Sequence, residues 1–112
     1  MTDDRLPTGL WVDAHLRKLS AAAIPAYVVN RGNHASGTVI VKIVMRGAGC
    51  RLLSQMRDIN GEMGWMSVFE ETAVEEPRAD AYIRRSLSRD PDLWVIEVED
   101  ASGANPFDGK IF

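Results

Sequence analysis

Thr38-Val39-Ile40-Val41-Lys42-Ile43-Val44-Met45-Arg46, then Gly47-Ala48-Gly49, then Cys50-Arg51-Leu52-Leu53-Ser54-Gln55-Met56-Arg57: this stretch decides the fold. Successive side chains of an extended chain point to opposite faces. Val39, Val41, Ile43 and Met45 therefore share one face, and Ile40, Lys42, Val44 and Arg46 share the other. The glycine pair at 47 and 49 makes a tight turn, so the two runs read as neighbouring antiparallel strands.

The pattern extends in both directions. Ala26–Arg31 reads as a preceding strand, followed by Gly32-Asn33-His34-Ala35-Ser36-Gly37, a loop of turn formers. After Arg57, Asp58-Ile59-Asn60-Gly61 supplies an Asn-Gly turn into a fourth strand, Met63–Glu70. Four strands over 26–70 with short links predict an antiparallel β-meander. A fifth strand is expected over 93–99, with Trp94, Ile96 and Val98 on one face.

Two helices complete an α+β fold. The first is expected over about 9–23, starting near Thr8, with Val12, Leu16, Leu19 and Ala23 in one stripe and Pro25 preventing continuation. The second is expected over 77–89: Pro77 suits its first turn, and Ala79, Tyr82, Ile83, Ser86 and Leu87 form an inward face. A helix between the fourth and fifth strands predicts a right-handed crossover, with the fifth strand parallel to the fourth if both lie in one sheet. Residues 1–7 and 103–109 read as loose or loop, and Lys110-Ile111-Phe112 can add a short last strand.

The sheet's second face is not cleanly polar. Ile40, Val44, Leu53, Leu93 and Val95 would add apolar area there, and an antiparallel sheet with one wet face alternates more strictly. Either the two helices divide between the faces, or one face meets a second subunit.

At 112 residues the chain is one domain, 1–112, long enough to bury a core without staples. Its net charge of −3 argues against a non-specific nucleic-acid binder, which needs a basic face. Arg84, Arg85 and Arg89 give only a weak local basic feature. The single cysteine, Cys50, rules out an intrachain disulfide and a Cys-rich zinc site, and suits a reducing cytoplasm. The acidic start Met1-Thr2-Asp3-Asp4 is unlike a secretory signal, and no run approaches the ~20 apolar residues of a membrane span.

Chemistry-bearing residues are few. His15 has no His or Glu partner at metal-ligand spacing. His34 sits in a loop whose N–H groups, with Arg31, can hold an anion. No Gly-x-Ser-x-Gly, Gly-x-Gly-x-x-Gly or Walker loop is present, so neither a cofactor nor a metal is expected. Glu97 and Glu99 alternate with apolar neighbours and read as a solvated face. Of the three tryptophans, Trp94 reads as core and Trp65, near an Asn-Gly turn, as a rim residue.

Several segments together carry a resemblance. They are Thr8-Gly9-Leu10-Trp11-Val12 with Leu16-Arg17; Arg31-Gly32-Asn33; Gly37-Thr38-Val39-Ile40-Val41-Lys42; Trp65-Met66; Ala79-Asp80-Ala81-Tyr82-Ile83; and Asp90-Pro91-Asp92-Leu93-Trp94-Val95-Ile96-Glu97-Val98-Glu99-Asp100, the most specific. Over about residues 5–103 the chain resembles the small bacterial proteins grouped as domain of unknown function family 1491. The tail after Gly103 departs from the family pattern, in which the chain returns quickly to a short apolar stretch. The resemblance implies a bacterial intracellular setting and helices layered on a sheet. It implies no activity, substrate or cofactor. Within its segments the recurring polar residues are Arg31, Lys42, Asp90 and Asp92.

Two functional expectations follow. One is a non-enzymatic interaction module, most simply a homodimer, meeting its partner through Ile40, Val44, Leu53, Leu93 and Val95. The other is a small-molecule or anion binder, or a modest hydrolase, with a pocket near Arg31, His34, Asp90, Asp92 and Trp65. The second requires Arg31 and Asp92 to lie at the same end of the sheet.

Overall fold

A computed structural model describes residues 6–112; the acidic start at 1–4 lies outside the described residues. The element order is α1 (Thr8–Ala21), β1 (Ala26–Asn30), β2 (Val39–Val44), β3 (Cys50–Arg57), β4 (Met63–Ser67), α2 (Glu76–Arg89) and β5 (Trp94–Glu99). The two helices and the five-stranded, mostly antiparallel sheet expected from the sequence are present.

One connection differs from the simple meander. The strand order is β1-β5-β2-β3-β4, so β5 is inserted between β1 and β2. It runs antiparallel to β1 and parallel to β2, from Val39↔Trp94 to Val44↔Glu99. The reason is burial. Trp94, Val95, Ile96 and Val98 are all buried, so β5 needs neighbours on both edges and cover on both faces. β1 is short, alternates between half-buried and exposed, carries a bulge between Val28 and Asn30, and takes the edge. Residues 31–38 consequently cross the end of β5 and do not form a hairpin.

The helices divide between the faces. α1 covers Val39, Val41, Ile43, Leu53, Trp65, Trp94, Ile96 and Val98. α2 places Ile83 over Ile40, Leu52, Leu93 and Val95. This corrects the interface expectation: Ile40, Leu53, Leu93 and Val95 are buried within the chain, and Val44 is half-buried beside Cys50, Val74 and Ala79. Leu53 also lies on the opposite face from the one expected. The register pairs it with Val41 and pairs Leu52 with Lys42, so the two adjacent leucines serve one face each.

α1 ends two residues before the expected Ala23. Ala23 adopts φ +58°, its N–H donates to the Ser20 carbonyl, and the Ile24 N–H donates to the Leu19 carbonyl. These are the two bonds of a Schellman cap, with Leu19 and Ile24 as its apolar contact. No helix among the described residues is long and apolar enough to cross a membrane.

Candidate functional site

The strand directions bring the C-terminal ends of β1 and β3 and the N-terminal ends of β2, β4 and β5 to one end of the sheet. The 31–37 loop is fastened there by its backbone. The Asn33 N–H donates to the Asp92 carbonyl at 2.9 Å, and the Trp94 indole N–H donates to the Asn33 carbonyl at 2.8 Å. The Asn33 side chain accepts from the Ala35 and Ser36 N–H groups. The loop packs so tightly that a Cβ at Gly32 or Gly37 would fall 2.1 or 2.4 Å from the Asp92 carbonyl oxygen. The same loop caps α1, whose Thr8 and Gly9 N–H groups donate to the Ala35 and His34 carbonyls.

Four of the five ligand residues expected from the sequence lie around this end. The Arg31 guanidinium sits 5.1 Å from the Trp94 ring centroid. The His34 ring lies against Gly9. Asp90 accepts the Asp92 N–H at 3.0 Å, closing the turn into β5, while Asp92 contributes its carbonyl to the loop. Arg31 and Asp92 are thus at the same end, as the binder expectation requires.

Trp65 is the exception. It is fully buried, donates its indole N–H to the Asp108 carbonyl at 2.9 Å, and packs near Trp11 and Phe107. The tail produces this burial. Phe107 inserts beside Trp11, and residues 110–112 run along the outer edge of β4, with the Trp65 N–H donating to the Lys110 carbonyl and the Phe112 N–H to the Trp65 carbonyl. The tail therefore converts an expected rim residue into core.

A half-open cleft of about 600 Å³ opens at this end, between the start of α1, residues 35–38 and the ends of β3 and β4. Trp11, Leu6, Met56 and Met63 give it apolar surface; Thr8, Ser36, Thr38, Gln55 and Arg57 give it polar groups. Among the described residues, Thr8 and Thr38 bond through the main chain only and Ser36 through its N–H, which leaves three hydroxyls and the Gln55 amide for a ligand. The Arg57 guanidinium donates to the Gly61 carbonyl at 2.6 Å, within a turn that the Asp58 carboxylate holds through the Asn60 and Glu62 N–H groups. The sequence did not single out these lining residues as a site. They come from separate segments with no common spacing, and only the unassigned Trp11 and the charge at the end of β3 offered a signal.

Two other polar clusters are closed. Lys42 is buried on the α2 face, and its ammonium donates to Glu76 at 2.6 Å and Asp80 at 2.7 Å, with Glu97 at 3.3 Å. Burial disfavours the charged lysine, but the three carboxylates outweigh it and raise its pKa. Such an ammonium is a poor base and nucleophile, and its geometry instead ties α2 to β2 and β5. Cys50 is buried nearby, and burial pushes its thiol pKa up, the reverse of a reactive cysteine. On α1, the buried His15 donates from Nδ1 to the Trp11 carbonyl, which can only accept, and turns Nε2 toward Asp108 at 3.1 Å. Among the described residues, no group of three His, Cys, Asp or Glu side chains is placed to hold a metal ion.

The chain is similar to proteins of one family. The model for the protein of unknown function DUF1491 matches residues 6–108. A crystal structure of a DUF1491 family protein from Caulobacter crescentus CB15 is 33% identical, superposes with a TM-score of 0.86, and is matched over 96% of this chain and 100% of that one. An NMR structure of a DUF1491 family protein from the same organism is 34% identical, with a TM-score of 0.82 and 96% of each chain covered. The solution structure of protein Atu0922 from A. tumefaciens is 26% identical, with a TM-score of 0.72 and 86% of each chain covered. No curated protein matches the sequence. With a family match over nearly its whole length, the chain belongs to the DUF1491 family.

Proposed function

We propose that the protein is a non-catalytic binder of a small molecule, held in the cleft at the end of the sheet. The observation that carries this reading is the convergence of polar groups from Thr8, Ser36, Thr38, Gln55 and Arg57 on a half-open space beside Trp11, all but Arg57 without a side-chain hydrogen bond among the described residues. Ligand sites are concave, largely preformed and of about 300–1,000 Å³, with a few placed polar groups on an apolar lining. The 31–37 loop, fixed by Asp92, Trp94 and α1, supplies the preformed wall. Hydrolysis needs a nucleophile beside a base, and the described lining contains no carboxylate, imidazole or thiol. The buried, unpaired thiol of Cys50 fits a reducing compartment such as the cytoplasm.

The test is a fragment screen followed by amide and indole NMR shifts. Binding fragments should move the signals of Thr8, the Trp11 indole, Ser36–Thr38 and Gln55–Arg57 together. Shifts that consistently map elsewhere, or none across the set, refute the reading.

One observation favours a second reading, self-association. The outer edge of β4 is partly paired by the tail, whereas β1 has β5 on one side and no strand on the other among the described residues. On that open edge Tyr27 and Val29 are 52% and 56% exposed. Two copies could pair their β1 strands across a two-fold axis. Sedimentation of the wild type and of Val29→Lys separates the cases: a dimer dissociated by the lysine supports pairing, and a wild-type monomer at 100 µM, about the upper range of a weak specific complex, excludes it.

A further inference from the structure

We infer that the cleft's ligand is a small organic anion: a flat apolar body carrying one negatively charged group. The inference rests on the binding reading above and names the chemistry of that same site. The described lining contributes one full charge, the Arg57 guanidinium, and no carboxylate. The hairpin turn holds that guanidinium in place, because one of its nitrogens donates to the Gly61 carbonyl. Among the described residues its other N–H donors have no partner, and a guanidinium presents them as a planar fork suited to carboxylate, sulfonate or phosphate oxygens. That bond supplies part of the side-chain order that binding requires.

The rest of the lining sets the other half of the ligand. Trp11 packs near His15, Trp65 and Phe107, so the indole beside the cleft is braced by three further rings. With Met63, it gives the cleft an apolar, polarisable lining that suits an aromatic or conjugated body. Thr8, Ser36 and Thr38 add hydroxyl donors that can complete the coordination of an anionic oxygen. A cationic ligand would meet Arg57 with no counter-charge in the described lining, and a purely apolar one would leave these donors unpaired.

A matched pair of dyes tests this. 8-Anilinonaphthalene-1-sulfonate and N-phenyl-1-naphthylamine share one aromatic body and differ by the sulfonate. Each is titrated by fluorescence into the wild type, Arg57→Gln and Thr38→Trp, with near-UV circular dichroism confirming that each variant is folded. The sulfonate should bind near one to one and more tightly than the neutral dye. Arg57→Gln should weaken the sulfonate by about three- to fivefold, the worth of a partly exposed charge pair, and leave the neutral dye unchanged. Thr38→Trp, which crowds the cleft, should weaken both. If both dyes bind the wild type equally, are indifferent to Arg57→Gln and are weakened by Thr38→Trp, the anion class is overturned while the cleft remains a binding site. If neither dye binds, or binding survives Thr38→Trp unchanged, the binding reading itself fails.

Discussion

Replacing Lys42 by Met should cost the protein about 2–3 kcal/mol, a value set by how its partners are exposed. The substitution removes the charge and keeps most of the side-chain volume, so no large cavity adds to the loss. Two limits bracket it: an exposed ion pair is worth about 0.2–1 kcal/mol, and removing one partner of a fully buried pair costs about 3–5 kcal/mol. The Lys42 side chain is only 4% exposed, but those of Glu76, Asp80 and Glu97 are 53%, 40% and 28% exposed. Water can partly resolvate the abandoned carboxylates, which places the cost between the limits. In urea, with a slope of about 1.5 kcal/mol per molar for a small domain, the midpoint should fall by about 1.3–2 M. Combining Lys42→Met with Glu76→Gln and Asp80→Asn should recover at least half, because the uncompensated charge goes with the lysine. The pH dependence has a definite sign. The folded-state pKa of Lys42 is raised, so its contribution is complete below the unfolded value of about 10.4 and fades as pH climbs above it. Between about pH 10.5 and 11.5, just above that value, the wild type should lose more stability than Lys42→Met. A midpoint shift below about 0.5 M, or a stabilised Lys42→Met, would refute the reading of this cluster as the tie between α2 and the sheet.

Three further outcomes are expected. Ala23→Gly should raise stability by about 1 kcal/mol, since Ala23 carries a Cβ at φ +58° in a cap position that favours glycine; thermal unfolding reads this, and an unchanged or lower midpoint contradicts it. Phe107→Ala should cost about 3 kcal/mol and shift Trp fluorescence to the red, because the ring packs against Trp11 and Trp65; a loss under about 1 kcal/mol would mean that the tail is not part of the core. Cys50 should react with a thiol reagent at pH 8 only as fast as the protein unfolds, since burial raises its pKa; prompt stoichiometric labelling of native protein would show that it is accessible.

The sequence makes β2 and β3 legible because strict alternation and the Gly47-Ala48-Gly49 turn are local signals, but not their register: the adjacent Leu52 and Leu53 are both apolar, and only the pairing Val41↔Leu53 decides which face each serves. The place of β5 is harder to read. Alternation suggests one inward face, whereas the continuous apolar run Leu93-Trp94-Val95-Ile96 already has the character of a central strand. Trp65 reads as a rim residue in the sequence because its cover, residues 107–112, lies more than forty residues away in the chain. At the candidate site, the grouping of Arg31, His34, Asp90 and Asp92 is visible because turn formers gather where strands end. Thr8, Gln55 and Arg57 become neighbours only once the strands are ordered, and no pattern within a single segment encodes that.

The insertion of β5 between β1 and β2 also dictates an order of assembly. As the chain emerges from the ribosome, β2, β3 and β4 can zip into consecutive hairpins, but β1, made earlier, has no strand to bond to until Trp94–Glu99 arrives. The first strand translated is therefore the last to dock, and a nascent polypeptide stalled before Trp94 would leave Ala26 and Val28 waiting in the open.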